Sequence, residues 1–122
     1  MKLNQDCVRD LLLYLEENLN YNNEVRLNQL NLKDYSREDL LYTAQKLIEA
    51  DYINCVTSRH YTNNLPFILV KSITFKGHEF LDTIRDKTIW ENTKSKASKF
   101  TSISLPIIQQ LATSLIKSQL GL

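Results

Sequence analysis

The stretch "YSREDLLYTAQKLIEADYI", Tyr35 to Ile53, constrains the fold more than any other part of the chain. Ser36 is a helix N-cap, with Asp39 three positions on as a variant of the capping box. Leu40, Leu41, Ala44, Leu47 and Ile48 form one apolar stripe at helical spacing. The helix ends at Asp51, where glycine is the usual residue and aspartate tolerates the left-handed conformation moderately well. "YINCVTSRHY" and "FILVKSITF" follow around "TNNLP", two β-rich runs with Asn-Asn and Pro66 as turn signals. The pattern predicts a helix that feeds straight into an antiparallel hairpin. Ile53, Cys55, Leu69 and Ile73 are expected inside, with Arg59, His60 and Lys71 near the open end.

The flanking segments extend this order. Asn4 caps a first helix running to about Asn18, with Val8, Leu11, Leu12, Leu15 and Leu19 recurring at helical spacing as its apolar stripe. "NLNYNN" breaks it. "EVRLNQLNL" predicts a short strand and then an irregular or one-turn helix. Thr74 caps a third long helix, "FKGHEFLDTIRDKTIWENTK", with Phe80, Leu81, Ile84 and Thr88 facing one way and Ile89 and Trp90 forming a second apolar patch. "SKASKFTS" reads as a linker. Ser104 caps a last helix with Pro106 in its first turn and Gly121 as its stop. Its stripe is Ile108, Leu111, Ala112 and Leu115, flanked by Leu105 and Ile116.

The expected architecture is α+β, mostly α: a winged helix-turn-helix with a two-stranded wing and two additional C-terminal helices. Residues 1–91 form the winged-helix domain with its following helix, 92–103 a Lys/Ser-rich linker, and 104–122 a C-terminal amphipathic helix. "LLYTAQKLIEADYINCV" is similar to the segment of winged-helix regulators, including the MarR type, in which a helix leads into the wing. "ITFKGHEFLDTI" resembles the L-T-x-x-G-x-x-x-L segment that closes their wing. This likeness covers roughly residues 4 to 85. The set "YSREDLLYTAQKLIEADYI", "ITFKGHEFLDTIRD", "IWENTK" and "LGL" more closely resembles a small domain-of-unknown-function family of Gram-positive bacteria and their phages. That likeness covers nearly the whole chain and implies fold and genomic context. Asp51 in place of glycine, and a reduced second helix, depart from the usual winged-helix pattern.

The resemblance implies double-stranded DNA as a partner. The candidate contacts are Arg37, Tyr42, Thr43 and Lys46 on the reading helix, and Arg59, His60 and Lys71 on the wing. Charge gives divided testimony. Residues 1–51 hold six Lys/Arg against ten Asp/Glu, and residues 52–122 hold nine against four. Glu38, Asp39 and Glu49 stand on the reading helix, although the first two also suit the positive end of the helix dipole. The alternative function is a protein-interaction module, such as a phage-encoded inhibitor or adaptor, on the same scaffold.

The last helix has one lysine and no acid, so its apolar stripe must be covered. Three arrangements satisfy this: folding back onto Ile89 and Trp90, pairing with a second copy as a homodimer, or lying on a membrane. The membrane is the least favoured, because the polar face is Gln, Ser and Thr rather than basic.

Catalysis finds little material. His78 and Asp82 approach a zinc-helix pattern, but the second histidine is absent, so no metal and no other cofactor is expected. No phosphate loop or nucleophile–base pattern is present, and the chain is not expected to be an enzyme. Cys7 and Cys55 are expected as free thiols. The charged first residues, "MKLNQDCVRD", and the lack of a long apolar run lead to an expectation of a cytoplasmic protein without a signal peptide.

Overall fold

The computed structural model of the chain describes residues 1–62 and 65–122, with side chains described outside 58–66. Asn63 and Asn64, expected at the hairpin turn, lie outside the described residues. The chain is mixed α+β and mostly helical. In order come α1 (Gln5–Asn18), β1 (Val25–Arg26), a one-turn 3-10 helix (Leu27–Gln29), α2 (Arg37–Glu49), β2 (Ile53–Thr62), β3 (Leu65–Ile73), α3 (Phe75–Ile84), α4 (Lys87–Ala97) and α5 (Leu105–Leu120). It divides into two compact units, Met1–His78 and Glu79–Leu122.

The first unit starts where its caps dictate. Asn4 Oδ1 accepts from the Cys7 amide (3.1 Å), and Ser36 Oγ accepts from the Asp39 amide (3.0 Å). Each satisfies one of the orphan donors of a helix start. Cys7, Val8, Leu11, Leu12 and Leu15 of α1 are buried, as are Leu40, Leu41, Ala44 and Leu47 of α2, and the two helices pack together. Ile48, expected on the α2 stripe, is only half-buried at the edge of that stripe.

The sheet is antiparallel with strand order β1-β3-β2. Ile53 pairs with Ile73 and Asn54 with Ser72, but Cys55 pairs with Val70, so Lys71 is an extra residue in a bulge. The bulge shifts the phase of β3. Ile73, Val70 and Ile68 are buried, whereas Leu69, expected inside, turns to the other face opposite Val56. Val25 of β1 pairs with Val70 and adds to the inner face.

The junction of α2, β2 and α3 is closely bonded. α2 ends in a Schellman arrangement: the Tyr52 amide donates to Leu47 O (2.8 Å) and the Asp51 amide to Ile48 O (3.0 Å), with Asp51 left-handed at φ 63°. The Thr74 hydroxyl donates to Asp51 O (2.6 Å) and accepts from the Gly77 amide (3.0 Å), while the Thr74 amide donates to Tyr52 O (3.0 Å). Gly77 lies so close that a Cβ there would sit 2.1 Å from Tyr52 O and 2.8 Å from Ile73 Cγ2.

In the second unit, the helix expected to run unbroken from Phe75 to Lys94 is interrupted. α3 ends at Ile84, and Asp86 Oδ1 accepts from the Ile89 amide (2.9 Å) to start α4. An N-cap at Asp86 resets the helical phase, which explains why Ile89 and Trp90 fall outside the stripe of Phe80, Leu81 and Ile84. Thr88, expected on that stripe, is exposed in the first turn of α4. α4 continues to Ala97, into the segment read as linker, so only residues 98–104 separate it from α5. α4 and α5 pack on each other, burying Ile89, Trp90 and Thr93 of one and Ile108 and Ala112 of the other. Thr93 satisfies its hydroxyl by donating to Ile89 O (2.7 Å). Leu105, Leu111, Leu115 and Ile116 are half-buried. Ser104 stands at the N-cap of α5 without a side-chain capping bond, and Gly121 closes the helix at φ 76°.

Gly77→Ala is expected to cost about 2–4 kcal/mol, because the clash is with backbone that two helices hold in place. Asp51→Gly should instead raise stability by about 0.5–1 kcal/mol by relieving the left-handed residue. Urea unfolding followed by circular dichroism measures both; equal stability of Gly77→Ala and wild type would contradict the close approach.

Candidate nucleic-acid interface

The exposed side of α2 is set by the stripe on its opposite side. With Leu40, Leu41, Ala44 and Leu47 inside, Arg37, Glu38, Asp39, Gln45 and Glu49 are exposed and Tyr42 and Lys46 half-exposed. Lys46 Nζ lies 2.8 Å from Glu49 Oε2 and 5.3 Å from the centre of the Tyr42 ring. The hydrogen bond to Glu49 raises the pKa of the Lys46 ammonium above its ordinary value. The two strongest helix candidates are thus joined in one chain, Glu49–Lys46–Tyr42, and the lysine charge is locally matched.

Thr43 does not belong to this surface. It is 2% exposed, and its hydroxyl donates to Cys7 Sγ (3.3 Å), tying α2 to α1. The spacing explains the correction: Leu40, Thr43, Ala44 and Leu47 follow i, i+3, i+4, i+7, so Thr43 falls on the apolar stripe despite its hydroxyl.

Among the wing candidates, Lys71 sits in the β3 bulge and forms an ion pair with Glu24, just before β1. Glu24 was missed by sequence reasoning. The two are far apart in the chain, and only the β1–β3 pairing brings them together. The side chains of Arg59 and His60 lie outside the described residues. The structure therefore brings Arg37, Tyr42 and Lys46 onto one helix face, places Lys71 on the sheet beside Glu24, and removes Thr43 to the core.

Near the start of α2, the Tyr35 hydroxyl donates to Asp10 Oδ2 (2.7 Å). Burial and this bond push the phenol pKa well above its ordinary range. The Tyr35–Asp10 bond pins the loop entering α2 to α1, where Asp10 also lies 3.8 Å from its neighbour Arg9.

The expected helix-docking residues also resolve. Ile89, Trp90, Ile108 and Ala112 are buried in the second unit, and Leu105, Leu111, Leu115 and Ile116 are partly covered. Lys94 Nζ stands 5.8 Å from the Trp90 ring centre. His78 Nδ1 lies 4.0 Å from Glu16 Oε2, and Arg85 pairs with Asp82 at 2.6 Å. Among the described residues, no three His, Cys, Asp or Glu side chains gather in a metal-holding group, and no helix is long and apolar enough to cross a membrane.

These observations define a mostly helical α+β protein with a hairpin-bearing N-terminal unit and a helical C-terminal unit. The chain belongs to the family described as Hypothetical protein (DUF2513), whose profile matches residues 2–104. It is also similar to an uncharacterised protein of Haemophilus influenzae, 31% identical over 124 residues, covering 99% of this chain and 100% of the relative. No solved structure matches the chain.

Both cysteines are free: Cys7 is buried and Cys55 half-buried. Burial raises the Cys7 pKa, the Thr43 hydrogen bond opposes the rise, and Asp39 and Asp10 add to it. Burial alone pushes Cys55 from its usual 9.0 to about 12. A raised folded pKa stabilises the protein below the unfolded value, and that contribution is lost as pH rises toward the folded value. Stability is therefore expected to fall between pH 9.0 and about 12, less steeply in Cys55→Ser, and native protein at pH 8 should resist iodoacetamide at both thiols until urea is added. Mass spectrometry of the labelled peptides checks this; rapid native labelling of Cys55 would contradict its burial.

Proposed function

We propose that the Met1–His78 unit is a winged helix and that the protein binds double-stranded DNA as a transcriptional regulator of a phage or mobile-element locus. The observation that carries this reading is topological. The order α1, β1, 3-10 turn, α2, β2, β3, with strand order β1-β3-β2, puts α2 immediately before a long two-stranded hairpin. That is the place of a reading helix beside its wing. The short 3-10 turn stands where the second helix would be.

Charge sets how such a protein would bind. Of the cations facing outward, Arg37 is exposed, while Lys46 and Lys71 are matched by Glu49 and Glu24. Exposed pairs of this kind contribute little to stability, so a phosphate can displace the carboxylate at small cost. With few phosphate contacts, the salt slope of duplex binding should be shallow, about −2 to −4. Arg59→Ala with Lys71→Ala should flatten it by about 2. Glu24→Gln and Glu49→Gln, which free Lys71 and Lys46, should tighten binding. Fluorescence anisotropy on random and genomic duplexes measures all four; unchanged affinity in the double mutant defeats the wing contacts, and no duplex binding at about 50 mM salt defeats the DNA reading.

A second reading is favoured by one observation: with Lys46 and Glu49 matched to each other, Glu38 and Asp39 outnumber Arg37 and leave the α2 face acidic. On this reading the scaffold binds a basic protein surface through α2. A pull-down from host lysate with and without nuclease separates the two. Recovery of protein partners that survive nuclease and are lost with Glu38→Lys supports the protein module.

On either reading we assign a homodimer to the C-terminal helices. α5 leaves Ile107 48% and Leu120 67% exposed, beside half-covered Leu111, Leu115 and Ile116. Soluble monomers seldom leave such a face open. A dimer would carry two reading heads at fixed spacing, which favours palindromic DNA. Sedimentation should give a dimer for the full chain and a monomer, or insoluble protein, after deletion of residues 103–122. A soluble truncated protein of unchanged oligomeric state rules this interface out.

A further inference from the structure

The first unit contains an open groove of about 640 Å³ that, apart from Glu24 at its edge, none of the preceding roles uses. It lies between the end of α1, the Asn-rich turn, β1 and the 3-10 turn. Its volume falls within the range of small-molecule sites. Its floor is apolar: Val25 and Leu30 are buried, and Leu69 is the residue that the β3 bulge turns to this face. Its walls are polar: Tyr14 and Asn18 come from α1, Asn22 and Asn23 from the turn, and Arg26 and Gln29 from the far side.

The internal bonding of this region leaves ligand-facing groups available. The turn holds its own shape, with Asn20 and Asn23 bonded through their backbones and Asn20 Oδ1 accepting from the Asn22 amide (3.1 Å). Asn18 is anchored by donation to Tyr14 O (2.8 Å). The Glu24 carboxylate, the one acid among the described lining residues, is held by Lys71. The Arg26 guanidinium is exposed and has no carboxylate partner among the described residues. Among the described residues, the groove is therefore an amide-rich surface with the Arg26 charge at its rim.

Each part selects a piece of ligand. A guanidinium fork suits a phosphate. Carboxamides donate and accept side by side, which matches the edge of a nucleobase. A phenol ring with an aliphatic floor suits the flat face of a base. We propose that this groove binds a nucleoside monophosphate, with its phosphate on Arg26 and its base among Tyr14, Asn22, Asn23 and Gln29. The site stands apart from the α2 face, so the proposal holds whether or not the protein binds DNA.

The test uses the full-length protein labelled with nitrogen-15 and titrated with AMP, GMP, CMP and UMP, with ribose 5-phosphate, inorganic phosphate and glucuronate as controls. At least one nucleotide should shift the side-chain amides of Asn22, Asn23 and Gln29 in a saturable manner. Its affinity should exceed that of ribose 5-phosphate by roughly tenfold. Arg26→Gln should weaken nucleotide binding by roughly tenfold or more, and Gln29→Ala should change the preference among the bases. Both residues are exposed, so the spectra will also report that the variants remain folded. No shift at millimolar nucleotide, equal binding of ribose 5-phosphate, or binding indifferent to Arg26→Gln would each overturn the proposal.

Discussion

The Met1–His78 unit depends on one tight crossing, where the backbone of Gly77 meets that of Tyr52. Only hydrogen fits between them, since a Cβ would approach Tyr52 O to 2.1 Å. Around this contact a single hydroxyl, Thr74 Oγ1, bonds both the end of α2 and the first turn of α3. The base of the hairpin is therefore fixed at both ends by the same few atoms. Its strands must leave α2 and enter α3 within a narrow range of directions. The pairing of Ile53 with Ile73 lies directly beside this crossing, and the inner face of the sheet is built outward from it.

This arrangement makes the α2 face a consequence of packing rather than of any ligand. Leu40, Thr43, Ala44 and Leu47 fix the rotation of the helix, and Thr43 locks it to α1 through Cys7. What remains outside is Arg37, Glu38, Asp39, Tyr42, Gln45 and the paired Lys46 and Glu49. The matched pairs Lys46–Glu49 and Lys71–Glu24 give the surface little long-range field. Such a surface would rely on close contact more than on electrostatic steering.

Much of the fold was legible in the sequence because caps and stripes are local signals. Asn4, Ser36 and Thr74 each start a helix where their spacing places them, and Asp51 takes the left-handed turn. The break at Asp86 was also written locally, as an N-cap followed by a change of phase, but a continuous apolar pattern concealed it. The bulge at Lys71 was not readable. Its cost and position depend on pairing with a strand many residues away, and it moved Leu69 from the core to the groove. On α2, the outward placement of Arg37, Tyr42 and Lys46 followed from periodicity. Thr43 was misplaced because its hydroxyl outweighed its spacing. Glu24 was invisible because its partner is close only after β1 docks on β3. The Asn-rich run was read as a helix breaker alone, although Asn18, Asn22 and Asn23 converge once the turn closes.

The β3 bulge also separates two parts of the hairpin that an ideal ladder would couple. In a regular pair of strands, one inserted residue reverses the facing of every side chain beyond it. Here the extra residue is already absorbed at Lys71, between the paired base at Ile53 and Ile73 and the longer arm that begins at Cys55 and Val70. Matched additions to both strands beyond the bulge would lengthen the outer arm while the base keeps its register. The arm's reach is thereby separable from the packing of the core.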